Sequence, residues 1–170
     1  MRRIAIIQGE HRVLTEPDTM LTTVLGSCVA VCLHDPVARV GGMNHFLLGE
    51  PMAGHALKPE ELHRYGVHAM ELLINAMMQA GAVRDRMCGH LYGGGNIVAG
   101  LGQIGSSNAA FARRFMETEG LQVKRCDLGG NSARKVEFLP YDGRVRSLIV
   151  KDVVPEARPQ RIMAHDVELF

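Results

Sequence analysis

The chain has 170 residues, 46% apolar and 22% charged, and its 19 basic and 18 acidic residues leave a net charge of +1. A length of this order suits one domain, the composition excludes disorder and coiled coil, and near-neutrality lacks the footprint of a phosphate-backbone binder, so no nucleic acid partner is expected. The longest apolar run, residues 28–33, falls far short of the ~20 residues of a membrane span, and residues 4–7 are too short for a signal-peptide core. A cytoplasmic chain without membrane insertion follows as the expectation, with Cys28, Cys32, Cys88 and Cys126 as thiols.

Apolar and β-branched residues predict strands over 3–7, 20–25, 28–33 and 40–48, separated by turn signals at Gly9, Pro17-Asp18, Asp35-Pro36 and Gly49-Glu-Pro51. The period then changes. Leu62, Tyr65, Ala69, Met70, Leu73, Ile74 and Met77 predict a helix over 58–80, stopped by Gly81. A glycine-dense stretch runs from Gly89 to Gly105, and Ser106 or Ser107 can cap a second helix that Gly120 ends. Strands are expected near 121–124, 135–139 and 144–150, with a loop at 127–131 and a hairpin connection at 140–143. Residues 151–170 carry Pro155 and Pro159 and read as a C-terminal tail on a single domain of residues 1–150. The fold class expected is α+β or layered α/β, with mostly antiparallel β-sheets and two main helices.

Chemistry centres on Gly26, Ser27 and Cys28, where small residues let the backbone turn sharply and approach a ligand. An ordinary thiol needs a partner to become a nucleophile at neutral pH. The nearest candidate is His45: a four-residue turn at 35–38 would set it directly opposite Cys28 across a hairpin, within about 5 Å. A lone cysteine in an apolar strand is more often a small core residue, and a lone histidine more often a satisfied one. Their shared hairpin is what raises the pair above that reading.

Other groupings carry less. Cys28, Cys32, His34 and His45 could be drawn as a metal set, but along a strand they do not converge on one tetrahedron, so neither a metal nor another cofactor is expected. Gly93, Gly94 and Gly95 lack the lysine of a phosphate loop. His55, His63 and His68 read as loop and helix decoration, and Met70, Met77 and Met78 as core packing.

Several separated motifs in order carry a resemblance: Thr22-Thr-Val-Leu-Gly-Ser-Cys28, Asp35-Pro36, Gly41-Gly-Met-Asn-His-Phe46, Tyr65-Gly-Val-His-Ala-Met70, Tyr92-Gly-Gly-Gly-Asn96, Asp127-Leu-Gly-Gly-Asn131 and Arg134-Lys-Val-Glu-Phe138. Together they resemble the CheD family of chemoreceptor glutamine deamidases of bacterial chemotaxis. Tyr92, Gly95 and Ala133 depart from the pattern, which touches loop detail only. The resemblance implies a CheD-like sandwich and hydrolysis of glutamine side-chain amides on methyl-accepting chemoreceptors, through a cysteine thioester, to glutamate and ammonia. It implies a cysteine–histidine–threonine set carried by Cys28, His45 and Thr22, with Thr23 as the fallback, and weaker substrate contacts at Ser27 and Asn96. Implied partners are the cytoplasmic helices of chemoreceptors and the CheC phosphatase. Two alternatives stay open: a non-enzymatic adaptor docking on receptors or on CheC, and a cysteine hydrolase acting on other amides.

Overall fold

The computed structural model describes residues 1–48, 58–97 and 103–151. Among these the strands are β1 (Arg2–Ala5), β2 (His11–Leu14), β3 (Thr19–Leu25), β4 (Val29–Asp35), β5 (Val40–Asn44), β6 (Cys88–Gly93), β7 (Gln122–Leu128), β8 (Ala133–Leu139) and β9 (Arg144–Val150). The helices are α1 (Pro59–Gln79) and α2 (Ile104–Thr118), with one 3-10 turn at Arg84–Arg86. The strands form two sheets, ordered β1-β3-β8-β9 and β2-β5-β4-β6-β7. Most pairings are antiparallel; β1 with β3 and β6 with β7 run parallel, the latter joined through α2. The expected α+β architecture with two main helices is the one observed.

Strand alternation sorts the core into two layers. Val29, Val31 and Leu33 of β4 pack with Met70, Leu73 and Met77 of α1 and Ala112, Phe115 and Met116 of α2. On the other face of β4, Ala30 and Cys32, with Cys28 just before the strand, meet Leu21, Leu25, Val136 and Phe138 of the four-stranded sheet. The order is therefore helices, five-stranded sheet, four-stranded sheet. β4 lies at the middle of its sheet and is buried along its whole length, which is why it reads as an unbroken apolar run.

α1 starts with Pro59 in its first turn beside Glu60 and Glu61, a favourable charge for a helix N-terminus. It ends as expected: Gly81 takes a left-handed φ of 106°, and the Ala82 N–H returns to the Met77 carbonyl. Met70 and Met77 are core, whereas Met78 is exposed. α2 starts two residues before Ser106, with Gln103 at the cap position, so neither Ser106 nor Ser107 caps it. β7 extends to Leu128, placing Asp127 in the strand and not in the loop expected there. Residues 140–143 connect β8 to β9 as expected, with Leu139 paired to Arg144. The proposed tail from residue 152 on, the turn at 49–51, His55, Gly100 and Gly102 lie outside the described residues.

The β4–β5 hairpin departs from expectation in a way that matters for the site. Asp35 pairs with Val40, so the connection is residues 36–39, with Arg39 in a left-handed φ of 58°. The fully buried Asp35 carboxylate fixes this turn. It accepts the N–H groups of Val37 and Ala38 and, from outside the hairpin, that of Val83 and the Arg86 guanidinium. Burial pushes the Asp35 carboxyl up, but those bonds outweigh it and hold it at about 2.

Candidate active site

Moving the turn one residue along shifts the pairing by two. Val29, and not Ser27, is opposite Phe46, each N–H bonded to the other's carbonyl at 3.0 and 2.9 Å. Cys28 is thus opposite Leu47 in the same register, and His45 is its diagonal neighbour, not its direct partner as expected. A shift of two preserves parity, so both side chains still point toward the four-stranded sheet. Diagonal neighbours sit about 7–8 Å apart at the backbone, within reach of a long side chain such as histidine. Between Cys32–Met43 and Val29–Phe46 the ladder opens, and the Asn44 side-chain oxygen takes the Val31 N–H in place of a backbone carbonyl.

Cys28 and His45 are both buried, at 2% and 4% exposure. Cys28 follows the turn at Gly26 and Ser27, whose backbone is held against the loop after β6: Gly94 and Gly95 donate their N–H groups to the Cys28 and Gly26 carbonyls. Gly93 is required there. Its φ is 106°, and a Cβ would stand 2.2 Å from the Cys28 carbonyl oxygen. Arg134 ties the same loop down by donating to the Gly93, Asp127 and Gly129 carbonyls.

The two threonines named for the site separate in the structure. Thr23, not Thr22, reaches His45, with Oγ1 2.8 Å from Nδ1. The reason is strand alternation: Leu21, Thr23 and Leu25 turn into the interlayer, while the half-buried Thr22 points the other way, paired in register with Ala5 and Glu137. The tautomer follows from counting protons. The Thr23 hydroxyl donates its one hydrogen to the Ile6 carbonyl at 2.6 Å. Its oxygen can then only accept from His45, so Nδ1 carries the proton. Nε2 is left with a lone pair, and it is buried with no hydrogen-bond partner among the described residues. Burial lowers His45 to about 4, outweighing the upward effects of the Ile6 carbonyl and the Glu10 carboxylate. The imidazole is therefore neutral at physiological pH.

Residues 7–10, which connect β1 to β2, close over both groups. Gly9 donates its N–H to the His45 carbonyl, and the His45 N–H is donated to the Glu10 carbonyl. The Cys28 thiol donates to Gln8 Oε1 at 3.7 Å. A cleft of about 200 Å³ lies on the α1 side, between Glu10 and His11 and the α1 residues Tyr65, His68 and Leu72; His45 lines it and Cys28 does not. A larger one of about 650 Å³, between β2 and the end of α1, touches neither Cys28 nor His45, so its size does not make it the reactive centre.

The weaker expectations separate. Ser27 accepts a hydrogen bond on its carbonyl from Asn108 Nδ2 at 2.8 Å, while the Asn108 oxygen accepts the Leu48 N–H at 2.9 Å. One fully buried amide thus clamps the segment before Cys28 to the segment after His45, a role that sequence reading did not assign. Asn96 donates to Ser106 Oγ and takes its place in the loop through the Gly130 carbonyl. Cys32 is buried with its thiol pushed far up by desolvation, and Cys126 is exposed. No group of three or more metal-ligating side chains occurs among the described residues, and no described helix is long and apolar enough to cross a membrane.

Comparison with known proteins adds to this geometry. The family model described as CheD chemotactic sensory transduction matches residues 47–148, a span that begins after His45. Relatives named "Probable chemoreceptor glutamine deamidase CheD" cover the site as well. That of Zymomonas mobilis is 48% identical over 99% of this chain and 93% of its own. Those of Agrobacterium fabrum and Rhizobium etli are 45% and 49% identical, each over 99% of this chain and 97% and 96% of their own. The crystal structure of Neisseria meningitidis protein NMB0706, assigned to family DUF152, shares the fold with a TM-score of 0.51 at 14% identity, over 90% of this chain and 76% of its own.

Proposed function

This chain belongs to the CheD family, and we propose that it is a chemoreceptor glutamine deamidase in which Cys28 is the nucleophile and His45 the base. The observation that carries the reading is the proton count around Thr23, which leaves a buried Nε2 lone pair, with no hydrogen-bond partner among the described residues, on the imidazole diagonal to Cys28.

In the first step Nε2 takes the Cys28 proton as sulfur attacks the carboxamide carbon of a receptor glutamine. The oxyanion is met by N–H groups of the turn at 27–28, each good donor contributing about 3 kcal/mol. The Val29 N–H is not among them, because the Phe46 carbonyl holds it. Desolvation then works in favour of the second step. An imidazolium with a pKa of about 4 is a strong acid, so it forms only as attack proceeds and readily protonates the departing amide nitrogen, releasing ammonia. The C–N bond breaks and a thioester remains. Water, deprotonated by the same Nε2, cleaves it to glutamate and restores the thiol.

Thr23 holds the ring and its tautomer, the task a carboxylate performs in other triads. A CheC phosphatase partner is proposed on the family resemblance alone. The test is mass spectrometry of receptor cytoplasmic fragments incubated with the protein. Particular glutamines should gain one dalton with the native chain and none with Cys28→Ala; equal conversion by both would remove the mechanism.

A further inference from the structure

Gln8 presents, on the thiol itself, the same chemical group that the proposed substrate must bring there. Its side chain is exposed, yet its Oε1 lies 3.7 Å from Cys28 Sγ, 20 positions away in the chain. Cys28 is only 2% exposed. For attack, a carboxamide carbon has to come within about 3–3.5 Å of the sulfur, so the space Gln8 holds is space the substrate needs.

From this contact we infer that Gln8 is an internal stand-in for the substrate carboxamide, a specificity residue that occupies the amide subsite at rest and that an incoming glutamine must displace. The inference rests on Cys28 being the nucleophile. The resting pose is unproductive: the thiol donates to the carbonyl oxygen, and the oxygen, not the carbon, faces sulfur. Of the loop that closes over the thiol, the Gln8 side chain is the part free to turn, and the backbone is not. The backbone of residues 7–10 is fixed by Gly9 and Glu10 on both sides of His45, and by the Ile7 N–H, which donates to Glu10 Oε2 at 2.9 Å. Rotation of one exposed glutamine about its side-chain bonds takes its amide off the sulfur while the backbone bonds around His45 stay in place. A thiol is a weak donor, so the cover is easily displaced. A carboxamide offered at the right place by a helix competes for the subsite, whereas a ligand without that group gains nothing by entering.

The test uses the full chain and two readouts. Alkylation of Cys28 by iodoacetamide, followed by peptide mass spectrometry with the exposed Cys126 as internal control, needs no receptor. Gln8→Ala should speed Cys28 labelling about twofold to tenfold, the range of one neutral hydrogen bond, while Gln8→Glu, which sets a carboxylate over the sulfur and opposes the thiolate, should slow it. Cys126 labelling should not change. With receptor fragment as substrate, Gln8→Ala should lower KM by a similar factor and leave kcat alone. Labelling of Cys28 unchanged or slower in Gln8→Ala overturns the inference, as does a fall in kcat, which would make Gln8 an oxyanion donor. If the native chain releases no ammonia, the functional reading fails, while the labelling result still decides the role of Gln8.

Discussion

Replacing Thr23 by valine keeps the shape of the side chain and removes one hydroxyl, the group on which the state of His45 depends. Two buried contacts go with it, the 2.6 Å bond to the Ile6 carbonyl and the 2.8 Å bond from His45 Nδ1. Each buried group left unsatisfied costs about 1–3 kcal/mol, so the fold should lose about 2–6 kcal/mol, read as a lower denaturant midpoint with an unchanged slope. The chemical effect is separate. Without an acceptor at Nδ1 the imidazole proton moves to Nε2, where the ring no longer accepts a proton from the thiol. Loss of a working base lowers kcat by about 10²–10⁴, with KM little altered. Ammonia release from receptor fragments, measured at a temperature where the variant is folded, gives both parameters. Thr23→Ser restores the hydroxyl and should recover most of the activity, at a stability cost of about 1 kcal/mol for the lost methyl. Thr22→Val, on the opposite face of β3, should leave activity intact. If Thr22→Val abolishes turnover and Thr23→Val does not, the proton count is wrong.

Two further outcomes follow from the same contacts. Because burial lowers His45 from its ordinary 6.5 to about 4, the unfolded chain binds the extra proton first as pH falls; His45 therefore contributes no penalty above pH 6.5 and costs about 3 kcal/mol of stability by pH 4. Denaturant titrations of the native chain and His45→Gln across that window should converge at acid pH, and kcat/KM should hold its value well below pH 6.5 before falling. Asn108→Ala releases both the Ser27 carbonyl and the Leu48 N–H; kcat should fall at least tenfold while the pH profile keeps its midpoints. Asn108→Asp, which retains an acceptor for Leu48 and loses the donor to Ser27, should fall between alanine and the native residue.

Much of the frame was legible because it rests on local pattern. The apolar run of β4, the helical spacing from Leu62 to Met77 and the glycine stops at 81 and 120 are all signals carried by near neighbours. β2 escaped because His11 and Arg12 interrupt its short apolar pattern on an edge of the sheet. β6 escaped because its glycines read as loop, although Leu91 and Tyr92 each bury in a different layer. The pairing of Cys28 with His45 was visible only to within two residues, since the turn is set by the Asp35 carboxylate and by Val83 and Arg86 far along the chain. Thr23 was readable in principle: it shares the inward parity of Leu21 and Leu25, and that alternation outranks the spacing that favoured Thr22. The roles of Gln8 and Asn108 were not readable, although Asn108 stands with Ile104-Gly105 among the motifs of the resemblance, because each acts through a contact that exists only once the layers have closed.

The most direct measurement is rapid acid quench of the native chain with a receptor peptide, followed by intact-mass analysis. A sulfur that opens the carboxamide must appear transiently as a Cys28 adduct of the peptide's mass less one ammonia, and that adduct should be absent from Cys28→Ala and should build up slowly in Thr23→Val. Ammonia released in the first turnover with no adduct on Cys28, at any quench time, would contradict the account.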